Sequence, residues 1–401
     1  MVAGLLLACG ACATAAPAPV VDNTRWVGTW STSQQLTEPA NLPPAPGLPG
    51  NTLRQIVHVS TGGNVVRVRF SNLFGDGPMT ITAARIAAAR WADTVVAETA
   101  RPLSFGGQPS ITIAAGEEVM SDRLAFPLTP LQNVAVTMRF GAFPAAVTGH
   151  PGSRTTSYLA AGDHVSAATL DGAARTDHWY ALAGIDVVDD DRAGGAVVTL
   201  GNSITDGRGS GTNRQNRWPD ELSRRLRDDA RTADVAVLNA GIGGNCVLRD
   251  CLGPAAVARF ERDVLRQPGV RWMIVLEGIN DIGQAQGAEG AQGVARGLIA
   301  AYGQMIDRAH AQGIRVYAAT LLPFGGSFYD SPEREAARQA VNAWIRTGGR
   351  FDAVIDLDAA MRDPANPSRL QEIADTGDHL HPNEEGHRMI GEAIDLALFI
   401  R

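Results

Sequence analysis

Three residues in the second half of the chain have the types and spacing of a serine hydrolase mechanism. Ser203 lies in the segment Gly-Asn-Ser-Ile-Thr-Asp-Gly, and Asp378 precedes His381 by three residues near the C-terminal end. A serine hydroxyl is a weak nucleophile until a neighbouring base takes its proton. A histidine can be that base, and a carboxylate can fix the tautomer of the histidine. We therefore predict Ser203 as the nucleophile, His381 as the base and Asp378 as the orienting carboxylate.

Two further segments offer hydrogen-bond donors to the negative charge that develops on an attacked carbonyl oxygen. Gly244 lies in a glycine-rich stretch, and Asn280 follows a predicted strand. A glycine amide can approach the reacting centre closely, and an asparagine amide donates without carrying a net charge; preorganised donors of this kind stabilise an oxyanion. The sequence predicts an oxyanion hole made of Gly244, Asn280 and the backbone N–H of Ser203.

Each of these residues also has an ordinary structural explanation. Ser203 alone could be a helix N-cap, Asn280 an Asx turn and Gly244 a turn residue with positive φ. The occurrence of all of them at the ends of predicted strands favours the catalytic interpretation. Asp206, close to Ser203, is interpreted as a local cap, and the alternative is that it shapes the pocket.

His379 is the nearest alternative to His381. Together with Asp378 it offers two ligands for a metal ion, but a third or fourth ligand at compatible spacing does not follow. The sequence therefore predicts neither a metal site nor a cofactor.

The segments around these residues indicate an α/β domain over residues 193–401. Continuous apolar runs, typical of parallel strands that are buried on both faces, alternate with segments of helical spacing. The predicted strands are 196–200, 235–238, 272–276, 314–321 and 353–357. Ligands bind at the carboxyl ends of the strands in such a sheet. The predicted site residues follow these strands, so the sequence predicts a doubly wound parallel sheet with the site at its carboxyl edge.

The first half of the chain has a different pattern. Apolar residues alternate with polar ones, as in Val66, Val68 and Phe70, which is typical of strands with one buried face. We predict an all-β sandwich, of the jelly-roll kind, over residues 21–192, with a hairpin turn at residues 61–63. The polar, glycine-ended stretch 189–195 marks the boundary between the two domains.

Residues 1–20 are predicted to be a secretory signal, because a short apolar run is followed by small residues and prolines. The alternative is a lipoprotein signal that ends at Cys9. Cys246 and Cys251 then remain in the mature protein. In an oxidising compartment they would close a small disulfide loop, and the alternative is a pair of free thiols.

Composition excludes several classes of function. The net charge is −7, hydrophobic residues make up 45% of the chain, and all 35 basic residues are arginine. No clustered basic segment indicates nucleic-acid binding. No run of 18 apolar residues occurs, so the sequence predicts no transmembrane segment.

With these residues in place, the second half of the chain resembles the SGNH (GDSL) hydrolase superfamily, in which serine, glycine, asparagine and histidine come from four separate blocks. The resemblance implies a flavodoxin-like sheet of five parallel strands in the order 2-1-3-4-5, and it implies for the site residues the roles given above. Asn202 departs from the family pattern, which has aspartate there. The wider segments are similar to the XynE-like subfamily of secreted esterases, which is associated with xylan degradation; they are residues 217–220, 239–245, 259–260, 268–271 and 277–283.

Together, the residues and the resemblance predict a secreted or periplasmic serine ester hydrolase that cleaves short acyl esters, with acetyl groups on plant cell-wall polysaccharide as the first choice. The alternatives are a lipase or arylesterase, a sugar O-acyltransferase that uses the same triad, and a non-catalytic carbohydrate-binding protein. The first domain is expected to have only modest direct involvement in the hydrolysis of small esters.

Overall fold

The computed structural model describes residues 24–188 and 194–400. Residues 24–188 form an all-β part, called here the β region, and residues 194–400 form an α/β part, called the α/β region. The predicted signal sequence, Cys9 and most of the predicted boundary segment lie outside the described residues. The boundary at residue 192 therefore stays a prediction.

The β region consists of short strands joined by turns, with two short 3₁₀ segments at Pro39–Asn41 and Ala97–Thr99. Its strands are β1 (Trp26–Ser31), β2 (Gln35–Leu36), β3 (Thr52–His58), β4 (Gly63–Ser71), β5 (Met79–Trp91), β6 (Thr94–Val95), β7 (Arg101–Pro102), β8 (Ile111–Ile113), β9 (Glu118–Met120), β10 (Leu124–Leu128), β11 (Asn133–Phe140), β12 (Thr148–His150), β13 (Ser157–Ala160), β14 (Ala174–Thr176), β15 (Trp179–Tyr180) and β16 (Leu182–Val188).

Two antiparallel sheets of the β region share one apolar core. The first has the order β1-β16-β4-β10, with β9 beside β4, and the second has the order β14-β13-β3-β11-β5-β6, with β7 and β8 beside β5. Val68 and Phe70 of β4 are fully buried in the same cluster as Val136 and Met138 of β11. The alternating pattern therefore predicted the sandwich and its buried faces. A third, small sheet has the order β15-β12-β2.

The predicted hairpin turn at residues 61–63 is wrong. β3 and β4, which this segment joins, lie in different sheets: β3 pairs with β11 and β13, whereas β4 pairs with β16, β10 and β9. The connection is instead fixed to β1, since the Ser60 hydroxyl donates to the Thr29 carbonyl oxygen (2.7 Å) and the Thr29 hydroxyl donates to that of Thr61 (2.6 Å). A glycine-containing turn therefore did not determine which strands pair.

The α/β region contains a parallel sheet covered by helices on both faces. Its strands are β17 (Ala196–Gly201), β18 (Ala236–Gly241), β19 (Val270–Leu276), β20 (Arg315–Ala319) and β21 (Ala353–Ile355). Its helices are α1 (Ser203–Asp206), α2 (Trp218–Asp228), α3 (Ala256–Phe260), which continues as a π-helical turn (Glu261–Leu265), α4 (Ile279–Gly283), α5 (Gly287–His310), α6 (Pro332–Thr347), α7 (Leu357–Met361) and α8 (Glu384–Glu392), with 3₁₀ segments at Glu372–Ala374 and Leu396–Phe399.

The sheet order is β18-β17-β19-β20-β21, which is 2-1-3-4-5 in the order of these strands along the chain. Alternate residues of β17 enter different cores: Val198 and Leu200 pack on one face of the sheet, and Val197 packs on the other. Burial on both faces explains why these strands appear in the sequence as continuous apolar runs. Among the described residues, none of the helices has the length and the apolar character needed to cross a membrane.

The β region packs directly against the edge of the parallel sheet. Gly28 of β1 donates its N–H to the carbonyl oxygen of Pro268 (2.9 Å), and the Ser60 hydroxyl accepts the N–H of Val237 (3.0 Å). A Cβ atom at Gly28 would lie 2.9 Å from Leu238 Cδ1, so glycine permits this close approach. The contact fixes the loops of the β region relative to the carboxyl ends of the parallel strands.

Candidate active site

Ser203, His381 and Asp378 form a hydrogen-bonded chain at the carboxyl edge of the parallel sheet. The Ser203 Oγ lies 2.9 Å from His381 Nε2, and His381 Nδ1 lies 2.6 Å from Asp378 Oδ2. Asp378 Oδ1 also accepts the backbone N–H groups of Leu380 (3.0 Å) and His381 (2.8 Å), so the carboxylate is fixed by the turn that it orients. This geometry allows His381 to take the proton of Ser203.

Ser203 begins α1 directly after β17, but it is not the cap of that helix. The cap is Asn202, whose side-chain oxygen accepts the N–H of Ile204 (3.1 Å). The capping role that could have explained Ser203 therefore belongs to its neighbour. Asn202 is 1% exposed, and it stands where the family pattern has aspartate.

The loop that carries the histidine is fixed by α8. Asn383 caps this helix by accepting the N–H of Gly386 (3.0 Å), and its side-chain amide donates to the carbonyl oxygens of Ile373 and Asp375 (both 2.9 Å). These contacts hold the segment on both sides of His381 in one position.

The electrostatic environment keeps the base neutral and the carboxylate charged. Burial lowers the pKa of His381, the hydrogen bond and the charge of Asp378 oppose that shift, and the positive charges of Arg208 and Arg154 add to it. Burial opposes ionisation of Asp378, but its hydrogen bonds with His381 and Leu380 lower its pKa well below the usual range. A neutral imidazole beside an ionised carboxylate is the state that a general base requires.

The predicted oxyanion donors lie in the same cleft as the triad. Ser203, His381, Gly244 and Asn280 all line a cleft of about 470 Å³. Gly244 has φ of +71°, and a Cβ atom there would lie 2.7 Å from Leu252 Cδ1, so this position requires glycine.

Asn280 is held rigidly by both ends of its amide. Its Nδ2 donates to the carbonyl oxygen of Asn245 (2.7 Å), and its Oδ1 accepts the hydroxyl of Tyr329 (3.1 Å). An amide nitrogen carries two hydrogens. The second hydrogen of Asn280 is therefore left for a ligand in the cleft.

A disulfide closes the loop that follows Gly244. Cys246 and Cys251 are bonded, with their Cα atoms 5.7 Å apart, so the pair is not left as free thiols. The carboxylate of Asp281 accepts the N–H groups of Val247 (2.8 Å) and Leu248 (3.0 Å) at the other side of the loop. The backbone around the oxyanion donor is thus held by a covalent and a polar contact.

Arg259 forms a set of hydrogen bonds beneath the site. The sequence did not indicate this role. Its guanidinium is fully buried and donates to the carbonyl oxygens of Gly201 (3.1 Å) and Ala240 (2.7 Å), which lie at the ends of β17 and β18. It also donates to the side chain of Asn245 (3.0 Å) and to the hydroxyl of Ser33 in the β region (3.1 Å). One side chain therefore connects two strand ends, the loop that follows Gly244 and the β region.

The prediction that Asp206 is a local cap is wrong, and the alternative, that it shapes the pocket, agrees with its position in the lining of the cleft. Its carboxylate Oδ1 lies 2.8 Å from Nε2 of His150 in the β region, and both side chains are buried. Its Oδ2 has no hydrogen-bond partner among the described residues and lies against the backbone of Gly152 and Gly243. The signal for this long-range pair was not present in the local sequence.

His379 does not take part in the triad. It has φ of +60°, and its Nδ1 contacts Asp375 Oδ2 at 2.6 Å. Within residues 24–188 and 194–400, no group of three or more histidine, cysteine, aspartate or glutamate side chains is arranged to hold a metal ion. His387 is buried in α8, where Nε2 donates to the Arg208 carbonyl oxygen (3.0 Å) and Nδ1 accepts the N–H of Trp218 (3.2 Å).

The β region forms one wall of the cleft. Its loops at residues 35–41 and 151–154 and its His178 line the cleft together with Ser203 and His381. The sequence led us to expect only modest direct involvement of the first domain in catalysis. That expectation did not include loops of the β region in the lining of the cleft. No motif marks these loops, because they reach the site through contacts between the two regions, such as the packing of β1 against β18.

The chain was compared with curated proteins, with solved structures and with protein-family models. A search of the curated proteins finds no match. The solved structure of the acetylxylan esterase Axe2 from Geobacillus stearothermophilus is similar, with 21% identity, coverage of 50% of this chain and 92% of that one, and a TM-score of 0.38. A GDSL-like lipase from Bacteroides thetaiotaomicron is similar at 20% identity, with coverage of 53% and 91% and a TM-score of 0.38.

The match to a family model is the more informative comparison, because it falls on the part of the chain that carries the site. The model of the GDSL-like lipase/acylhydrolase family matches residues 199–389, which extend from the end of β17 into α8. The match includes the triad and both predicted oxyanion donors. Over these residues the chain is therefore similar to the GDSL-like lipase/acylhydrolase family, and the protein is a carboxylic ester hydrolase.

Proposed function

We propose that this protein is a secreted serine esterase that removes short acyl groups, acetyl foremost, from plant cell-wall polysaccharide. The observation that carries the proposal is the chain of contacts from Ser203 Oγ to His381 Nε2 (2.9 Å) and from His381 Nδ1 to Asp378 Oδ2 (2.6 Å). Gly244 and Asn280 line the same cleft, so a carbonyl bound beside Ser203 would meet a nucleophile and hydrogen-bond donors together.

In the first half-reaction His381 accepts the hydroxyl proton while Ser203 Oγ bonds to the ester carbonyl carbon. The carbonyl oxygen becomes an oxyanion, which accepts hydrogen bonds from the N–H groups of Ser203 and Gly244 and from the side-chain amide of Asn280. The tetrahedral intermediate then collapses, the bond to the alcohol oxygen breaks, and His381 gives its proton to the departing alcohol. An acyl-Ser203 ester remains.

In the second half-reaction His381 takes a proton from water, and the resulting hydroxide oxygen bonds to the acyl carbon. Collapse of the second intermediate breaks the bond to Ser203 Oγ. His381 returns its proton to that oxygen, and the carboxylic acid leaves. Asp378 stays ionised throughout and stabilises the imidazolium in both steps.

Secretion and a polysaccharide substrate have separate support. The Cys246–Cys251 disulfide and the predicted signal at residues 1–20 are both typical of an oxidising, extracytoplasmic compartment. The segments 217–220, 239–245 and 277–283, similar to the XynE-like subfamily, support xylan as the polymer. A cleft with walls from two regions leaves room for a sugar chain beside the scissile ester.

Hydrolysis of 4-nitrophenyl acetate tests the proposed chemistry. Ser203→Ala should lower kcat by at least about 10³-fold, because it removes the nucleophile. Ser166→Ala, a serine on the exposed surface of the β region, is the matched control and should keep the full rate. Equal rates for the wild-type protein and Ser203→Ala would overturn the assignment. Release of acetate from acetylated xylan should follow the same pattern.

A lipase or arylesterase activity is the second candidate, and a specific observation favours it. Phe328 is 70% exposed and Leu252 is 50% exposed, and both line the cleft. Exposed apolar side chains at a cleft would bind an acyl chain or an aromatic alcohol. A series of 4-nitrophenyl esters from acetate to palmitate separates the two. The proposal expects kcat/KM to fall beyond butyrate, whereas a lipase would prefer the long chains.

A further inference from the structure

We propose that Arg154 and Arg208 form an anion-binding subsite in the cleft that takes a carboxylate group of the ester substrate. The inference rests on the proposed esterase function and specifies the class of substrate. Both arginines line the cleft that holds Ser203 and His381, one from each region of the chain.

Arg208 is fixed between the nucleophile and the base. Its backbone N–H donates to the carbonyl oxygen of Ser203 (2.8 Å), and its own carbonyl oxygen accepts Nε2 of His387 (3.0 Å). The next residue, Gly209, lies against the segment that follows His381, since a Cβ atom there would lie 2.0 Å from the carbonyl oxygen of Pro382. The backbone position of Arg208 is therefore set by the segments that carry Ser203 and His381, and its side chain is exposed at the cleft.

Arg154 comes from the opposite wall and is held in an unfavourable backbone conformation. Its φ is +49°, which few residues other than glycine adopt. The conformation is maintained by the N–H of Asn213, which donates to the Arg154 carbonyl oxygen (2.9 Å), and by the Ser153 hydroxyl, which donates to that of Thr155 (2.7 Å). Its Nε is buried and has no hydrogen-bond partner among the described residues. A buried donor without a partner is costly unless a ligand supplies one.

The acidic groups of the cleft are already engaged. Glu38 accepts the side-chain amides of Gln35 (2.6 Å) and Asn41 (3.0 Å), Asp206 contacts His150, and Asp378 contacts His381. Neither Arg154 nor Arg208 forms a salt bridge within the described residues. Two positive charges in the cleft therefore have no acidic partner from the protein.

A guanidinium group matches a carboxylate because it offers two parallel N–H donors. The charge of both arginines reaches the base, since both lower the pKa of His381. A carboxylate bound to them would lie in the cleft with the ester. It could belong to a uronate unit of the polysaccharide or to a dicarboxylic acyl group, and these two sources are chemically separable.

The test compares matched substrates with and without the carboxylate. The first pair is acetylated glucuronoxylan and the same polymer after its carboxyl groups have been reduced to alcohols. The second pair is 4-nitrophenyl hydrogen succinate and 4-nitrophenyl butyrate. In at least one pair the acidic substrate should have a kcat/KM about tenfold higher, as expected for a charge-assisted contact. The preference should shrink as KCl is raised to 0.5 M, because salt screens exposed charges.

Variants assign that preference to the arginines. Arg154→Gln and Arg208→Gln should each reduce the ratio of acidic to neutral kcat/KM to near one. Arg101→Gln removes an exposed arginine of the β region outside the cleft and should keep the ratio. Preference in the first pair identifies a uronate, and preference in the second identifies a dicarboxylic acyl group. A ratio near one in both pairs for the wild-type protein, or a ratio unchanged by the two variants, would overturn the inference.

Binding to Ser203→Ala separates this inference from the proposed function. A glucuronate-containing acetylated xylo-oligosaccharide should bind this variant about tenfold more tightly than its carboxyl-reduced counterpart by calorimetry. The added Arg154→Gln substitution should remove the difference. If turnover of 4-nitrophenyl acetate did not depend on Ser203, the proposed function would fail. The calorimetric comparison of the two oligosaccharides would still show whether the cleft binds a uronate. Equal binding of both oligosaccharides would exclude a uronate subsite and leave only the acyl pair to support the proposal.

Discussion

His150 of the β region contacts Asp206, which lies three residues after Ser203 in the α/β region. His150 Nε2 is 2.8 Å from Asp206 Oδ1, and His150 Nδ1 is 2.9 Å from the carbonyl oxygen of Ser33. The ring also stacks against Trp179, with centroids 5.8 Å apart. A single buried imidazole thus connects the core of the β region to the short helix that begins with Ser203.

Replacement of His150 should destabilise the protein and reduce activity together. In His150→Ala neither oxygen of the buried Asp206 carboxylate keeps a hydrogen-bond partner among the described residues, because Oδ1 loses His150 and Oδ2 already has none. Removal of one member of a buried pair costs about 3 kcal/mol. Urea unfolding measures this loss, and His164→Ala, an exposed histidine of the same region, is the control. Equal midpoints for the two variants would show that the contact carries no stability.

Asn280→Ala should lower kcat by about 10²-fold with a small change in KM, since the donor acts on the oxyanion rather than on the bound ester. Tyr329→Phe removes only the hydroxyl that donates to Asn280 Oδ1, so the amide donor stays and the loss should be several-fold smaller. Steady-state kinetics with 4-nitrophenyl acetate separate the two variants. A rise in KM at constant kcat for Asn280→Ala would place this residue in ground-state binding instead.

The pH dependence of kcat/KM should report the environment of His381. Only the neutral imidazole can accept the proton of Ser203, so activity rises as the pH passes the pKa of His381. Burial lowers that pKa from 6.5, and the acidic limb should therefore have its midpoint below pH 6.5. Because Arg208 contributes to the shift, Arg208→Gln should move the limb to higher pH, while Arg101→Gln should leave it in place. A wild-type midpoint above pH 6.5 would contradict this account.

Loss of the disulfide should affect both stability and turnover. A Cys246→Ser, Cys251→Ser variant opens the loop that follows Gly244, and closure of so short a loop is worth about 2 kcal/mol in the unfolded chain. Dithiothreitol should lower the kcat of the wild-type protein toward that of the variant, and the variant itself should not respond. Thermal melts and kinetics with and without reductant check both effects. Unchanged kcat in the variant would show that the Asp281 contacts alone position the loop that follows Gly244.

The residues assigned to the proposed chemistry could be selected from the sequence because they combine two local signals. Ser203, Gly244, Asn280 and the Asp378–His381 pair each follow a strand or precede a helix, and the carboxyl ends of parallel strands meet at one edge. The strands themselves could be located from continuous apolar runs, because a strand that is buried on both faces leaves such a run in the sequence.

Contacts between residues far apart in the chain could not be predicted in this way. Residues 61–63 have the composition of a hairpin turn, yet burial of the flanking strands in two different sheets decides their partners. The local sequence around Asp206 indicates a cap, because its partner, His150, comes 56 residues earlier in another region and leaves no local signal. Arg259 has no local motif for its role, since its acceptors are carbonyl oxygens that the fold brings together.

The two walls of the cleft come from different regions of the chain. The residues that react with the ester and the residues that select its alcohol therefore belong to different regions. The reacting groups are fixed by the parallel sheet, whereas the facing loops at residues 35–41 and 151–154 are held by the sandwich. Exchange of those loops between related esterases would therefore alter which alcohol is accepted without moving the acyl-transfer atoms. Such a protein can acquire a new substrate by changes in a part of the chain that does not contact the bond it breaks.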